Sequence, residues 1–509
     1  MGSCARGRPL RRSNRACIRG VHATRAAIGR LATAAFTSQH RTRGDNPLTR
    51  PERLGRVRFP WQRAELDPSA ELATPELGAV AAPSVEVARA TRFSETFRAL
   101  RHRNYRLFYT GQAVSLTGTW MQTVAQSWLV IELTDSKAAL GIVTTLQFLP
   151  ITLFVLPAGV IADRVNKRDL ILATRALAMV QALLLAVLVA TGEAELWHVY
   201  ILALVLGVSN AFEQPTRQAM VIEMVGKDDL INAVALNSGL FNGARLVGPS
   251  VAGVVIAIAG TEAAFAINTV TFIPSILALT MMDLSELKVT GRRPEAPANP
   301  LGELREGLSF VLRTPAALMI MILVAFLGTF GYNFITVLPL VARYVLHGDS
   351  VDLGFLTAAL GLGAFLSALV IASQRRASRT SLFVGGALFA LFLGAVALSE
   401  SFYLSMLFLL LTGMANIVFA ATSNTSLQLA TPDHLRGRVM ALYMLLIAGS
   451  TPLGASLTGF MAELLGVQVT IGLLAVGCMI GVAIGFLYYV THRDAVEATA
   501  QAAATIAPP

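Results

Sequence analysis

The chain is short of charge. Of 509 residues only 14% are Asp, Glu, Lys or Arg, while 54% are hydrophobic and the mean hydropathy is +0.60. A soluble globular chain carries about 25% charge, so this deficit points to a protein that spans a membrane many times. Lysine is scarcest, with Lys137, Lys167, Lys227 and Lys288 set against 37 Arg. The three cysteines, Cys4, Cys17 and Cys478, are too few and too scattered for a disulfide framework or a metal site. The chain lacks a G-x4-GK[ST] phosphate loop, which argues against an ATP-driven pump, and no nucleophile–base pair or metal cluster suggests an enzyme. The net charge of +10 sits in the first 95 residues and in alternate loops. That distribution argues against a nucleic-acid partner. No cofactor is expected.

What fills the chain instead is long apolar runs. A helix needs about 20 apolar residues to cross a bilayer. Such runs lie near 107–133, 140–162, 170–190, 197–219, 230–259, 263–282, 316–342, 353–373, 381–399, 402–425, 438–465 and 468–491. The expectation is an all-α polytopic membrane protein with twelve transmembrane helices in two pseudo-symmetric halves. Residues 1–95 form a basic, disordered tail, with ten Arg and no acid before position 44. A targeting segment or a spurious start fits that composition too. The halves are 96–282 and 315–491, joined by a cytoplasmic linker at 283–314, and 492–509 is a second tail. After Pro300 the linker reads LGELREGLSFVLR, an amphipathic helix for the membrane surface.

Lys and Arg mark the cytoplasmic loops of membrane proteins. With the Phe97 lead-in inside, the cytoplasmic segments hold twenty of them, and the opposite loops hold only Lys137 and Arg343. Both ends are therefore expected in the cytoplasm and the chain in the cell membrane. The halves also repeat. Gly207 and Asn210 recur as Gly413 and Asn416, and Pro249 recurs as Pro452, at offsets of 206 and 203. Parallel repeats of this kind bracket a binding site near the midplane.

The most telling loop runs from Gly159 to Ile171. Gly159, Ala162, Asp163, Arg164, Lys167 and Arg168 crowd between the second and third spans. It resembles the signature loop of the major facilitator superfamily, G-x-L-A-D-R-x-G-R-K/R-x-x-L. Asn166 stands where the family has Gly, and Asn tolerates the left-handed backbone of a tight turn. The resemblance implies a gate: Asp163 meets the start of span 11 near Val439, while Arg164 and Arg168 pair with acids of nearby loops. The stretches 210–220 and 229–253 are similar to the exporter subfamily that includes the enterobactin exporter. Gly248-Pro249 loosely resembles the span-5 motif of drug:proton antiporters and is expected to bend its helix. Gly239 and Gly243 form a G-x-x-x-G face for close helix contact.

Ionisable residues inside a membrane mark function. Glu213, Arg217 and Arg245 are expected to couple proton flow, with Glu213 facing Arg245. Arg175 is expected to snorkel to the cytoplasmic face. Glu463, near an outer span end, is read as merely hydrated. Polar and aromatic residues of Gln112, Trp120, Gln126, Tyr332, Asn333 and Asn416 are the candidates to line a substrate cavity. Together these readings imply a secondary transporter, a proton-coupled exporter of small amphipathic, siderophore- or drug-like compounds, expected as a monomer. Uptake, or a sensor or scaffold that kept the fold, is the alternative.

Overall fold

The computed structural model describes residues 97–288, 300–372 and 378–497, and among these every regular element is a helix. A short 3-10 turn at Arg98–Arg101 leads into α1 (Arg103–Thr134), α2 (Lys137–Arg164), α3 (Lys167–Ala190), α4 (Leu196–Val225) and α5 (Leu230–Thr280). After the linker come α6 (Pro300–Arg313), α7 (Pro315–Gly331), α8 (Phe334–Leu340), α9 (Ser350–Ala372), α10 (Arg379–Leu398), α11 (Phe402–Leu429), α12 (Asp433–Leu465) and α13 (Val467–Thr491). Ten stretches are long and apolar enough to cross a membrane. The expected spans 5 and 6 fall within one of these, the 51-residue α5, and α1 stands outside the ten.

Breaks occur where the backbone allows them. Gly260, at φ 81° and ψ 171°, is non-helical and divides α5 into two arms. Gly466, at φ 85°, does the same between α12 and α13. Positive φ is almost cost-free only for glycine, and these two lie 206 residues apart, the same offset as the sequence repeat. The span expected at 316–342 breaks at Tyr332–Asn333, between α7 and α8, and ends in a π turn at Val341–Val345.

One loop expectation needs correction. Asn166 is not left-handed: at φ −64° and ψ 115° it is the N-cap of α3, and its side chain accepts from Arg168 N at 3.1 Å. Gly248-Pro249 lies inside the helical run of α5, whose non-helical residue is Gly260. A Cβ on Gly248 would lie 2.6 Å from Trp120 Cβ, so its glycine serves the close approach of α1.

The two halves meet along two equivalent seams. On one, α2 packs on α12: a Cβ on Gly459 would sit 2.8 Å from Gly141 Cα and 2.9 Å from Lys137 O. On the other, α5 packs on α9: a Cβ on Gly253 would sit 2.6 Å from Ser350 O and 3.0 Å from Val351 Cα. Gly253 and Gly459 are again 206 apart. Small residues let helix backbones approach where lipid offers no hydrophobic drive. Thr145 and Thr152 add cross-half hydrogen bonds, Thr145 to Pro452 O at 3.0 Å and Thr152 to Ala448 O at 2.9 Å.

The glycine contacts lie toward the face where α2 begins and α12 ends, and the Thr152 bond lies near mid-helix. Toward the opposite, basic face, which carries the loops at Arg164 and Lys227, four glycines stand free among the described residues. A Cβ on Gly159, Gly239, Gly243 or Gly437 would meet nothing within 4 Å. The G-x-x-x-G face of Gly239 and Gly243 is thus open, and the close contact belongs to Gly253 and Gly459. Among the described residues the halves are closed on one face and these glycines stand open on the other.

Candidate functional site

Between the halves lies a cavity of two adjoining lobes. The first, about 230 Å³, is polar and lies within the N-terminal half, with Gln112, Arg175, Asn210, Glu213, Gln214 and Arg217 in its wall. The second, about 380 Å³, is aromatic and apolar, walled by Arg245, Tyr332, Phe334, Leu338 and Ile447 among others. Trp120, Thr123, Phe148, Phe241 and Ile335 belong to both walls, so the lobes adjoin along these side chains.

The charged centre of the first lobe is Arg175 of α3, which is only 1% exposed. Its Nη2 donates to Gln112 Oε1 of α1 and, at 3.0 Å, to Glu213 Oε1 of α4. One hydrogen bond fixes the rotation of α3 against α4: Ser209 Oγ donates to Thr174 O at 2.6 Å, beside Arg175. The snorkelling expected of Arg175 is therefore wrong. The guanidinium points into the protein, where a carboxylate offsets the cost of removing it from water.

The expected Glu213–Arg245 pair is not formed. Glu213 is taken by Arg175, and Arg245 lies over the Trp120 ring, 5.6 Å from its centroid, in the second lobe. No carboxylate among the described residues comes within ion-pair distance of Arg245. A cation over an indole face is attracted by the ring quadrupole. Arg217 also faces the first lobe.

Of the six expected cavity residues, Gln112, Trp120 and Tyr332 line the lobes, and the other three do not. Gln126 is buried and donates to Gln147 Oε1 at 3.2 Å. Asn333 is buried, donates to Thr329 O at 2.7 Å and packs on Gly454. Asn416 lines neither lobe. Neighbouring amides behave alike: Gln122 donates to Gln181 at 2.7 Å and accepts from Asn268 at 2.5 Å. These buried amides pair in part with one another, while Gln126 Oε1, Gln181 Nε2 and Asn333 Oδ1 keep no partner among the described residues, so polarity within a span can mark packing as well as a wet surface. Residues that the sequence reading missed, Phe148, Gln214, Phe241 and Ile335, carry no signal beyond ordinary apolar or polar character.

The loop after α2 is tied down differently from expectation. Gly159 stands free, Arg164 is exposed, and the Asp163 side chain lies outside the described residues. Among the described residues Arg168 meets no acid. Its Nε donates to Leu279 O at 2.8 Å and its Nη2 to Thr280 O at 3.1 Å, capping the end of α5. Lys167 makes the ion pair instead, with Glu223 at 2.8 Å. Arg375 and Arg376 lie outside the described residues.

On the sealed face Glu463 is more than hydrated. Its Oε2 accepts from Lys137 N at 2.7 Å, Ala138 N at 3.1 Å and Ser136 Oγ at 3.3 Å. A carboxylate of α12 thus caps the N-terminus of α2 in the other half, where free N–H groups and the helix dipole favour an anion. Beside it Tyr344 donates to Asp135 at 2.8 Å and Lys137 sits over the Tyr344 ring.

Paired helical halves around a central cavity, sealed on one face, are the architecture of a membrane transporter. Residues 94–508 match the family model described as transmembrane secretion effector, and the chain belongs to that family of the major facilitator superfamily. It is 23% identical over 389 residues to the staphyloferrin A transporter of Staphylococcus aureus, covering 76% of this chain and 96% of that one. It is 25% identical over 360 residues to the multidrug efflux pump Tap of Mycolicibacterium fortuitum, covering 69% and 88%. Identity to the enterobactin exporter EntS of Shigella flexneri is 24% over 361 residues, covering 70% and 85%. A bacterial Spinster homologue, in an inward-facing and occupied conformation, superposes with a TM-score of 0.59 at 15% identity over 77% of this chain and 98% of that one. The peptide transporter POT gives 0.63 at 11% identity, over 77% and 95%. The protein is a multi-pass membrane transporter of small molecules, not an enzyme.

Proposed function

We propose that this protein is a proton-coupled exporter of small amphipathic compounds, working by alternating access. The observation that carries the proposal is the two-lobed cavity, which joins a polar wall holding a buried Glu213–Arg175 pair to an aromatic wall between the halves. An amphipathic cargo matches such walls at both ends. The relatives named for efflux support export.

In this reading the chain crosses the membrane twelve times as a monomer. The two arms of α5 count separately and α1 counts despite its glutamines. The basic face is cytoplasmic, following the distribution of Lys and Arg, so the cavity is open to the cytoplasm and sealed outside. Glu213 is the coupling group. A proton arriving on it removes the charge that anchors Arg175, and the guanidinium must then find another partner as the halves rock. The proton gradient supplies the driving force. Asp163 closes the cytoplasmic face in the alternate state, as the superfamily loop implies.

Transport of fluorescent dyes and siderophores into inverted vesicles, with and without a pH gradient, tests this. Accumulation that collapses with the gradient is expected. Gradient-independent flux removes proton coupling, and accumulation in right-side-out vesicles instead makes the protein an importer. Glu213→Gln should retain binding and lose the pH dependence of flux, and an unchanged pH profile would make the pair structural.

A further inference from the structure

The two lobes are lined by three guanidinium groups, Arg175, Arg217 and Arg245, and by one carboxylate, Glu213. Glu213 balances one of the three, so the walls keep an excess of two positive charges. The excess has free donors. Arginine carries five N–H groups. Those on Arg175 Nη2 go to Gln112 and Glu213, while Nε and Nη1 are buried and have no partner among the described residues. Buried donors left unmet are costly and favour an arriving acceptor. Arg175 shares the wall of the polar lobe with Arg217, beside the aromatic lobe at Trp120 and Phe241, and its two unmet nitrogens lie just behind that wall, so an acceptor reaches them only when the side chain turns toward the lobe.

We infer that the cargo is an organic anion, a carboxylate or similar oxyanion joined to an aromatic or aliphatic body. The anionic group sits on Arg217, which faces the lobe, and draws the unmet N–H groups of Arg175 toward it. The body sits against Trp120 and Phe241 and extends toward Tyr332. This rests on the transporter reading and narrows its substrate class. The same walls disfavour a cationic cargo. It would meet the excess positive charge, and the one carboxylate is already held by Arg175. Discrimination by sign then needs no specific pocket, because repulsion of the wrong charge selects as strongly as attraction of the right one.

The test uses three probes with one ring system: 2-naphthoate, 2-naphthamide and 2-naphthylmethylammonium. Each is titrated calorimetrically into the full chain in lipid nanodiscs, with empty nanodiscs subtracted, and each is assayed for flux in proteoliposomes. Naphthoate should bind about tenfold tighter than the amide, the scale of a charge-assisted hydrogen bond, and the ammonium most weakly. Arg217→Gln, at a half-buried position that tolerates the change, should reduce the preference for naphthoate several-fold and leave the amide unchanged. Arg175→Lys keeps the charge and should still weaken naphthoate, because a lysine cannot hold Gln112 and Glu213 and also present free N–H groups. Equal binding of all three probes, or tightest binding of the ammonium, overturns the inference. Flux of the amide or ammonium without preference for the anion keeps the transporter and rejects the anion. Sign-selective binding with no flux of any probe keeps the anion site and rejects the transporter reading.

Discussion

On the sealed face the halves touch backbone to backbone. Gly141 meets Gly459, Gly253 meets Val351 and Gly354, and a carboxylate from one half caps a helix of the other. On the basic face Gly159, Gly239, Gly243 and Gly437 face open space among the described residues, and the loop after α2 is tied within its own half, Lys167 to Glu223 and Arg168 to the end of α5. The difference teaches how one fold makes two gates. Close packing of small residues is strong but admits only one geometry, and a charged cap is weaker and can let go. A molecule that must open on each side in turn needs its tight seam to depend on something that can be released.

The sharpest way to break that comparison is to spoil the seam. Gly459→Val places two methyl groups where a bare Cβ already lies 2.8 Å from Gly141 Cα. Overpacking of this kind costs about 1–3 kcal/mol, so closure of the sealed face should fall roughly tenfold or more. Cross-linking between cysteines placed at Lys137 and Glu463 should drop accordingly, and the same change at Gly437, which meets nothing, should leave it alone. Equal effects at both positions would mean that the seam does not hold the face shut.

The charged pair inside gives a second large effect. Glu213→Gln leaves the buried Arg175 guanidinium without its counter-charge. Removing one partner of a buried pair costs about 3–5 kcal/mol, and the half-exposed mouth of this lobe reduces that figure. Thermal stability in detergent should fall by several degrees. The double change Arg175→Gln with Glu213→Gln should recover most of it. A double variant as unstable as the single would show that Arg175 has another partner.

The sequence disclosed the helices and their repeat because those are one-dimensional properties. Apolar runs of span length and glycines 206 apart are visible without coordinates, and Gly207 and Gly413 do pack alike, on α2 at Gln147 and on α9 at Leu360. Partners were another matter. Arg175 and Glu213 stand at similar depths on antiparallel helices, yet so does Arg245 a little further in. The rotation of α3 against α4, which Ser209 on Thr174 accompanies, decides between them. Likewise Gln112 and Gln126 read alike along α1. One reaches the cavity and the other turns to Gln147, because α1 packs on several helices at once and spacing on one helix does not say which. Gly239 and Gly243 had the motif for contact and lack a neighbour, since contact also needs the partner helix to approach at that level.

Smaller effects come from the caps. Glu463→Gln keeps an acceptor and loses the charge at the N-terminus of α2, a change of about 0.3–1 kcal/mol. The sealed face should open about twofold to fivefold more often, seen as faster labelling of a cysteine at Ser456, which hydrogen-bonds Thr145 at 2.6 Å in that seam. Asp163→Asn should act in the opposite sense, reducing turnover more than binding by weakening the gate on the basic face. The same shift from both variants would mean that the two caps do not alternate.

The smallest expected effect lies at the entrance to the first helix. Asp229 accepts from His102 at 2.8 Å and from Arg98, fixing the turn before α1 on the start of α5. These partners, the His102 hydrogen bond first, hold its carboxyl below the usual range. A depressed carboxylate contributes stability that is fully present above its unfolded value and is lost as pH falls through the folded one. At this exposed site the contribution is below about 1 kcal/mol. Asp229→Asn should therefore loosen the Arg98–Arg101 turn at neutral pH, read as faster amide exchange there, with α1 itself unaffected. In the unaltered chain the same loosening should appear only in acid, below the ordinary carboxylate range. If exchange in this turn is indifferent to both the substitution and acid, the backbone bonds of Ala99 to Asn232 and of Asn104 to Asp283 hold the turn without Asp229. The entrance would then be fixed by neutral hydrogen bonds, as the sealed seam is fixed by packing, and charge would matter only at the gates.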